Sequence, residues 1–314
     1  MFVLTEQQLP RIGLGTCFAT GQEMYHATKH AIKCGYRHID LAPKYGNEKE
    51  IGQAIAECIA DGSVTREELI LTSKLYHTCH QPSQVRKQLM QTLKDLQLDY
   101  LDYYLMHAPW AFKPKDENVI SCDPFEDKFG AVVDNVDYLD TWKAMLKNED
   151  LVRNFGVSNF NSKFIYRLIK ETGYTPKINQ IECHLLLQQQ DLLEFCRSKG
   201  IQLQAYAPLG EMKVTNDDGV HIRNDSKLLK IADKHQATVC QVMLRFHYER
   251  GICTIPKSKT PARIEENFSS IKNLELDSED WQILKEMNSN KRFFKFGWLA
   301  KASPENYPFG DDTF

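Results

Sequence analysis

Residues 68–107, ELILTSKLYHTCHQPSQVRKQLMQTLKDLQLDYLDYYLMH, contain one complete strand–helix–strand repeat. The first and last seven residues are apolar-rich runs of strand length, and they end on Lys74 and His107. Between them, a helical pattern has Pro82 in its first turn, where proline is favoured. Because strands joined by a helical crossover run parallel, this stretch predicts a parallel sheet covered by helices.

The same alternation continues along the rest of the chain. Strand-like segments stand at 11–15, 36–40, 68–74, 101–107, 152–158, 177–182, 201–207 and 252–256, with helical patterns between them. Eight such units predict a single α/β domain over residues 1–314, a (β/α)8 TIM barrel with a short N-terminal cap. We expect long βα loops at 108–137 and 208–225 and a C-terminal tail at 290–314 on the active-site face. A doubly wound open sheet is the alternative, but its GxGxxG pattern is absent because GLGTCF lacks the third glycine.

The composition indicates a globular protein without a strong charge field. The chain has 314 residues, of which 42% are hydrophobic and 26% charged, and its formal net charge is −3. We therefore expect no nucleic-acid partner. No apolar stretch approaches the ~20 residues of a membrane span, so we expect no membrane partner either. The nine cysteines show no CxxC or zinc-type spacing, which predicts reduced thiols, no metal and a cytoplasmic location.

Four candidate catalytic residues lie at the ends of successive predicted strands. Asp40, Lys74 and His107 each stand where a strand meets a loop, and Tyr45 follows five residues after Asp40. Catalytic groups of a TIM barrel gather at its C-terminal face, so these side chains are expected to converge. An ammonium lowers the pKa of a neighbouring phenol, a carboxylate keeps that ammonium charged, and a neutral imidazole orients a carbonyl. The set, called here the tetrad, predicts proton delivery to a carbonyl that receives a hydride.

Longer segments extend this pattern to a known family. GYRHIDLAPKYGNEKEIG, residues 71–107, FGVSNFN, NQIECH, AYAPLG and IPKSKTPARIEENF follow one another along the chain. Together they resemble the aldo-keto reductases, in particular those of the aldose, xylose and aldehyde reductase type. The resemblance implies that Tyr45 is the general acid, that Lys74 and Asp40 tune it, and that His107 orients the carbonyl. It also implies a barrel that binds an extended nicotinamide dinucleotide without a Rossmann domain.

The resemblance assigns the cofactor contacts to the second half of the chain. The residues expected to hold the nicotinamide are Ser158, Asn159 and Gln180, on its carboxamide, and Tyr206, which stacks on its ring. Leu209, in the next loop, is also expected to contact the cofactor. The residues matching the family's adenosine contacts are Lys257, Ser258 and Arg263, for the 2′-phosphate, and Glu266 and Asn267, for adenine. Since Lys257, Lys259 and Arg263 would together favour a dianionic phosphate, we expect NADPH/NADP+, with NADH as the less favoured alternative.

The wall of the expected substrate pocket departs from the family pattern. Cys17, Tyr76 and Ala108 stand where aldehyde- and aldose-reducing relatives commonly carry tryptophan. Trp110 and the tail residue Trp298 are expected to refill part of that space. The pocket is therefore predicted to have a different shape from that of those relatives.

These observations predict NADPH-dependent reduction of aldehydes, including open-chain aldoses, to alcohols. A ketone or hydroxysteroid oxidoreductase is the alternative within the same class of enzyme. A non-catalytic NADP(H)-binding regulatory subunit is the alternative outside it, although a pure binding protein needs no proton donor. We expect a small-molecule carbonyl substrate and a monomer, with a dimer as the alternative.

Overall fold

The structure, a computed structural model, describes residues 9–114, 132–210, 221–272, 274–297 and 299–310. The predicted N-terminal cap, Trp298, the centres of the loops 108–137 and 208–225, and the end of the tail lie outside the described residues.

Eight parallel strands follow one another around a single sheet in the order of the sequence. They are Leu14–Gly15, His38–Asp40, Ile70–Leu75, Leu101–Met106, Val152–Ser158, Ile178–Glu182, Gln202–Tyr206 and Cys253–Thr254. The sheet closes because the first and eighth strands also pair. Gly13 donates to the carbonyl oxygen of Thr254 at 2.8 Å, and Thr254 donates to that of Arg11 at 2.9 Å. The predicted (β/α)8 barrel is confirmed, although the strands are mostly shorter than the apolar runs that predict them.

Helices surround the barrel, and their ends carry recognisable sequence signals. The helices are Gly21–Cys34, Glu48–Ala60, Pro82–Leu96, Tyr138–Leu146, Ser162–Thr172, Gln190–Ser198, Ser226–Lys234, Val239–Glu249, Pro261–Ser269, Ser278–Glu286 and Leu299–Ala302. The first begins with a capping box between Thr20 and Glu23 and ends at Gly35, whose φ of 105° favours glycine. Two others begin with proline, which needs no hydrogen-bond acceptor there.

The interior of the barrel becomes more polar toward the C-terminal ends of the strands. Ile70, Thr72 and Lys74 alternate along the third strand, so they point to the same face. Ile70 packs with Tyr103 and Ile178 in a small apolar cluster, whereas Lys74 is buried among polar groups. The apolar residues thus lie below the tetrad within the barrel, and the polar residues reach the mouth.

The chain beyond the fourth strand contains more structure than the predicted loop. Ala111–Phe112 and Val133–Asp134 form a two-stranded antiparallel ribbon. Beside it, the ring of Trp110 packs 5.2 Å from that of Phe296 and 6.4 Å from that of Phe309. The tail therefore covers this side of the barrel mouth.

Glu182, at the end of the sixth strand, fixes the start of the tail. Its buried carboxylate accepts the backbone N–H groups of Phe293, at 2.7 Å, and Phe294, at 3.1 Å. His184 Nε2 donates to the same carboxylate at 3.0 Å, and the ring of His184 stacks on that of Phe293 at 4.4 Å. These contacts, together with the ion pair to Arg292 at 3.6 Å, compensate the burial of this carboxylate.

Within the described ranges, no helix is both long and apolar enough to cross a membrane.

Closure of the barrel requires a residue without a side chain at position 15, which predicts that adding a Cβ atom there lowers stability. A Cβ atom there would lie 2.5 Å from the carbonyl oxygen of Ile255, a backbone atom that moves only with its strand. We expect Gly15→Ala to lower the free energy of unfolding by about 1–3 kcal/mol, measured by urea titration. Gly297→Ala is the matched control, since its Cβ would meet nothing within 4 Å. Equal stabilities of the two variants would contradict this account of closure.

Candidate active site

Lys74 and Asp40 form a buried ion pair at the centre of the barrel mouth. Lys74 Nζ donates to the two carboxylate oxygens of Asp40 at 2.8 and 2.7 Å, and to the carbonyl oxygen of Leu41 at 2.7 Å. The side chain of Lys74 is fully buried, and Asp40 is 2% exposed. Burial raises the pKa of Asp40, while Lys74 and the amide of Gln180 act in the opposite direction. A pair held this closely fixes the position of the ammonium.

Tyr45 reaches this pair from a short turn after the second strand. Pro43–Tyr45 form one turn of 3₁₀ helix, and Gly46 ends it with a φ of 66°, in the left-handed region that favours glycine. The turn places the phenol oxygen of Tyr45 3.3 Å from Lys74 Nζ, which lies 5.0 Å from the centre of the ring. Tyr45 is half-buried as a residue, and its phenol contacts the buried ammonium.

His107 follows directly after the fourth strand and faces Tyr45. The two ring centres are 6.1 Å apart, with the planes at 85°. Burial lowers the pKa of His107 well below its ordinary 6.5, and the neighbouring His77 and Lys74 lower it further. The imidazole is therefore neutral at physiological pH, as the sequence analysis requires of a group that orients a carbonyl. Its Nδ1 has no hydrogen-bond partner among the described residues.

The pKa of Tyr45 differs in direction from the sequence prediction. Burial raises it well above the ordinary value of 10, and the negative charge of Asp40 adds to that effect. The lowering of this pKa that was expected from Lys74 is wrong for this structure, because burial is the largest effect and the charge of Asp40 acts in the same direction. The phenol thus stays protonated over the whole physiological range.

The amide and hydroxyl groups of the second half reach the same mouth. Tyr206 donates to Asn159 Oδ1 at 2.8 Å, and Asn159 Nδ2 donates to the carbonyl oxygen of His107 at 2.9 Å. Ser158 donates to the carbonyl oxygen of Gln180 at 2.9 Å, and Gln180 Nε2 donates to Asp40 at 2.7 Å. Asn159 and Gln180 therefore bond directly to the tetrad, and Tyr206 and Ser158 are joined to it through them.

The predicted phosphate residues lie where the eighth strand leads into helix Pro261–Ser269. Lys257 and Arg263 are exposed, and neither has an ion-pair partner within the described ranges, whereas Ser258 is buried. Lys259 differs, because its ammonium forms an ion pair with Glu23 and lowers the pKa of that carboxyl to about 2. Lys259 thus differs from Lys257 and Arg263 in having a carboxylate partner, and the contact of all three with a phosphate stays a prediction.

The remaining adenosine residues lie on the same helix. Asn267 is buried, and Glu266 is half-buried and accepts a hydrogen bond from Thr238 at 2.8 Å. Leu209 is half-buried between two apolar clusters of the fold.

Comparisons with known proteins identify the family of this chain. The model of the aldo/keto reductase family matches residues 11–289. The chain belongs to the aldo/keto reductase family. It is 44% identical to aldose reductase B of Dictyostelium discoideum, over 90% of each chain. It is 41% identical to estradiol 17 beta-dehydrogenase 5 of Mus musculus, over 97% of this chain and 95% of the relative. The solved aldose reductase of Schistosoma japonicum superposes with a TM-score of 0.87 at 36% identity, covering 98% of this chain and 97% of that one.

As a member of this family, the chain is an oxidoreductase that acts on carbonyl groups, and the family uses nicotinamide cofactors.

The predicted pocket residues of this aldo/keto reductase differ in how deeply they are buried. Cys17 is half-buried, and burial raises the pKa of its thiol to about 11, so the group is a protonated thiol rather than a nucleophile. Tyr76 and Ala108 are fully buried, and Ala108 packs with Trp110 beneath the tail. Their contact with substrate stays a prediction.

Two buried polar residues next to the tetrad, Gln204 and Glu48, are not predicted from the sequence. Gln204, fully buried on the seventh strand, accepts the second N–H of Gln180 at 2.6 Å and thereby sets which way that amide faces. Its own Nε2 lies 3.4 Å from His38 Nε2, and burial lowers the pKa of His38 to about 3. A glutamine inside the run IQLQAYA, two positions before Tyr206, is the sequence signal that indicates an inward polar group.

Glu48 is the second such neighbour. It begins the helix Glu48–Ala60 soon after Tyr45 and resembles an exposed first-turn glutamate in sequence, yet it is 5% exposed. Its carboxyl group accepts from Ser73, the residue before Lys74, at 2.7 Å and from Thr92 at 3.4 Å. Burial raises the pKa of Glu48 from 4.5 to about 8.

The raised pKa of Glu48 predicts a pH-dependent stability. Below pH 4.5 the carboxyl is protonated in both the folded and the unfolded chain, and its favourable contribution is complete. As the pH rises to about 8, the unfolded chain releases this proton first, so stability is lost. We expect Glu48→Gln to be more stable than the wild type at pH 9 by roughly 2–4 kcal/mol, with a smaller difference at pH 5.

Urea unfolding at the two pH values measures this difference. Glu57→Gln is the matched control, because Lys29 lowers the pKa of Glu57 to about 2 and its effect should not grow between pH 5 and 9. A Glu48→Gln difference that is independent of pH would contradict the assignment.

Proposed function

We propose that this chain reduces aldehydes to alcohols with NADPH, with Tyr45 as the proton donor. The observation that carries the proposal is the contact of the Tyr45 phenol with the buried ammonium of Lys74, at 3.3 Å, beside the neutral imidazole of His107. The relative named an aldose reductase, at 44% identity, supports the choice of aldehydes.

The tetrad divides the work of proton delivery. When bound, NADPH supplies a hydride to the carbonyl carbon. His107 donates a hydrogen bond that orients the carbonyl oxygen, and Tyr45 transfers its proton to that oxygen as negative charge develops there. The resulting phenolate is held by Lys74, whose charge Asp40 maintains, until solvent returns the proton. A phenol is protonated at neutral pH, so the donor is loaded before each turnover.

The residues at the expected cofactor site fit a nicotinamide dinucleotide phosphate. Lys257 and Arg263 are exposed cations without an ion-pair partner in the described part of the chain, and no side chain caps the N-terminus of helix Pro261–Ser269. Such a helix start with two cations suits a phosphate dianion. Asn159, Ser158 and Gln180 would hold the carboxamide, and Tyr206 would pack on the nicotinamide ring.

Ketone reduction is a second candidate, because a relative of 41% identity is named estradiol 17 beta-dehydrogenase 5. The replacement of tryptophan by Cys17 at the pocket wall agrees with a carbonyl that carries two substituents. Comparing kcat/KM for an aryl aldehyde and its methyl ketone separates the two: a higher value for the ketone would overturn the aldehyde assignment.

Removing the phenol should abolish proton delivery without affecting cofactor binding. We expect Tyr45→Phe to lower kcat for aldehyde reduction by about 10²–10⁴-fold, the usual contribution of a positioned acid. Nicotinamide absorbance follows the reaction, and cofactor fluorescence measures binding. Tyr166→Phe is the matched control, since that tyrosine is 57% exposed on an outer helix. Full activity of Tyr45→Phe would show that another group is the acid.

The ion pair of Lys259 gives a sharp test of the cofactor assignment. We expect Lys257→Met to raise KM for NADPH by about 10-fold, because it removes one charge-assisted contact with the 2′-phosphate. KM for NADH should stay within about twofold, since NADH lacks this phosphate. Lys259→Met is the matched control and should have the smaller effect, because Glu23 already occupies its ammonium. Equal changes for the two cofactors would contradict a 2′-phosphate site at Lys257.

A further inference from the structure

A cluster of metal-ligating side chains lies on two of the helices that surround the barrel, and it includes no residue of the tetrad. His30 and Cys34 belong to helix Gly21–Cys34, and Glu265 belongs to helix Pro261–Ser269. One ligand atom from each residue, an imidazole nitrogen, a thiol sulfur and a carboxylate oxygen, lies within 4.8 Å of the other two. Within the described ranges, no other set of three such residues meets the same distance.

The backbone holds these three positions in place without a metal. His30 and Cys34 are four residues apart on one helix, so their side chains share a face. The two helices are fastened next to the cluster by Tyr36, whose hydroxyl donates to the carbonyl oxygen of Ile264 at 3.0 Å. The ring of Tyr36 also packs 4.8 Å from that of Phe268. Because two packed helices carry the three side chains, side-chain rotations alone can bring the ligand atoms within bonding distance of one ion.

The present contact between His30 and Glu265 would not prevent the three side chains from coordinating a metal ion. His30 Nε2 is 2.9 Å from Glu265 Oε1, with the two side chains 30% and 59% exposed. An ion pair with that exposure contributes little to stability, so it does not hold the side chains in this geometry. Tetrahedral zinc places its ligand atoms roughly 3.3–3.7 Å apart, by its bond lengths to nitrogen, oxygen and sulfur. Movements of about 1 Å therefore convert the observed cluster into a coordination shell.

We propose that His30, Cys34 and Glu265 form a binding site for one zinc ion, with a water molecule as the fourth ligand. Thiolate, imidazole and carboxylate are the three protein ligands that zinc uses, and the mixed set disfavours calcium and magnesium, which take oxygen alone. The ion joins the first helix of the barrel to the helix that carries Arg263, Glu266 and Asn267. The proposal does not depend on the proposed function, because the site lies outside the tetrad and its test measures no activity.

Metal titration of the full-length protein, kept reduced with a phosphine, tests the site. We expect one equivalent of Zn²⁺ to bind in competition with a chromophoric chelator. Co²⁺ in its place should give a thiolate-to-cobalt charge-transfer band in the near ultraviolet. His30→Gln keeps the hydrogen bond to Glu265 and Cys34→Ser keeps the side-chain volume, so both variants should fold. Each should weaken Zn²⁺ binding by about 100-fold, and Cys34→Ser should lose the cobalt band.

Two matched variants separate this site from general binding by thiols and imidazoles. His26→Gln changes an exposed histidine on the same helix, and Cys240→Ser changes a half-buried thiol on another helix. Both should bind Zn²⁺ like the wild type. Wild-type affinity in Cys34→Ser, a cobalt band that persists there, or the lack of a one-equivalent site would each overturn the proposal.

Discussion

The buried ion pair of Lys74 and Asp40 is the interaction on which the rest of the barrel mouth depends. Moving two charges out of water costs several kcal/mol for each ion, and only close, complete hydrogen bonding offsets that cost. Lys74 therefore takes both carboxylate oxygens and the carbonyl oxygen of Leu41, and Asp40 takes the amide of Gln180 from the far side of the barrel. These contacts join the second, third and sixth strands, and they survive only if the closed sheet keeps its register. The same pair holds the ammonium against the phenol of Tyr45.

Local signals account for what the sequence predicts well. Short stretches of sequence show the repeat of strand and helix, the prolines Pro82 and Pro261 at helix starts, and polar residues at strand ends. These signals predict the barrel and the convergence of the tetrad. The properties that differ depend on contacts between distant parts of the chain. Lys259 is paired with Glu23, 236 positions away. The pKa of Tyr45 follows from burial and from the charge of Asp40 packed nearby, neither of which a sequence window shows. Glu48 and Gln204 are missed for the same reason, because their partners lie on other strands and helices.

Helix Pro261–Ser269 carries residues of both proposed sites, the cofactor phosphate site and the zinc site. Its N-terminal end faces the proposed phosphate of the cofactor through Lys257 and Arg263. One turn further on, Glu265 points to the proposed zinc site and Glu266 to Thr238. The helix is also tied to the first helix of the barrel through Tyr36, and the loop before it through Lys259. Substitutions on this helix should thus be assigned to one of these contacts before they are interpreted as effects on catalysis.

A double-mutant cycle between Asp40 and Tyr45, measured as kcat for aldehyde reduction, tests most directly whether the ion pair acts through the phenol. If Asp40 acts by holding Lys74 against the phenol, Asp40→Asn should lower kcat by about 100-fold when Tyr45 is present and have little effect when Tyr45 is already phenylalanine. The same fold loss in both backgrounds would contradict the account, because Asp40 would then act on the reaction independently of the phenol.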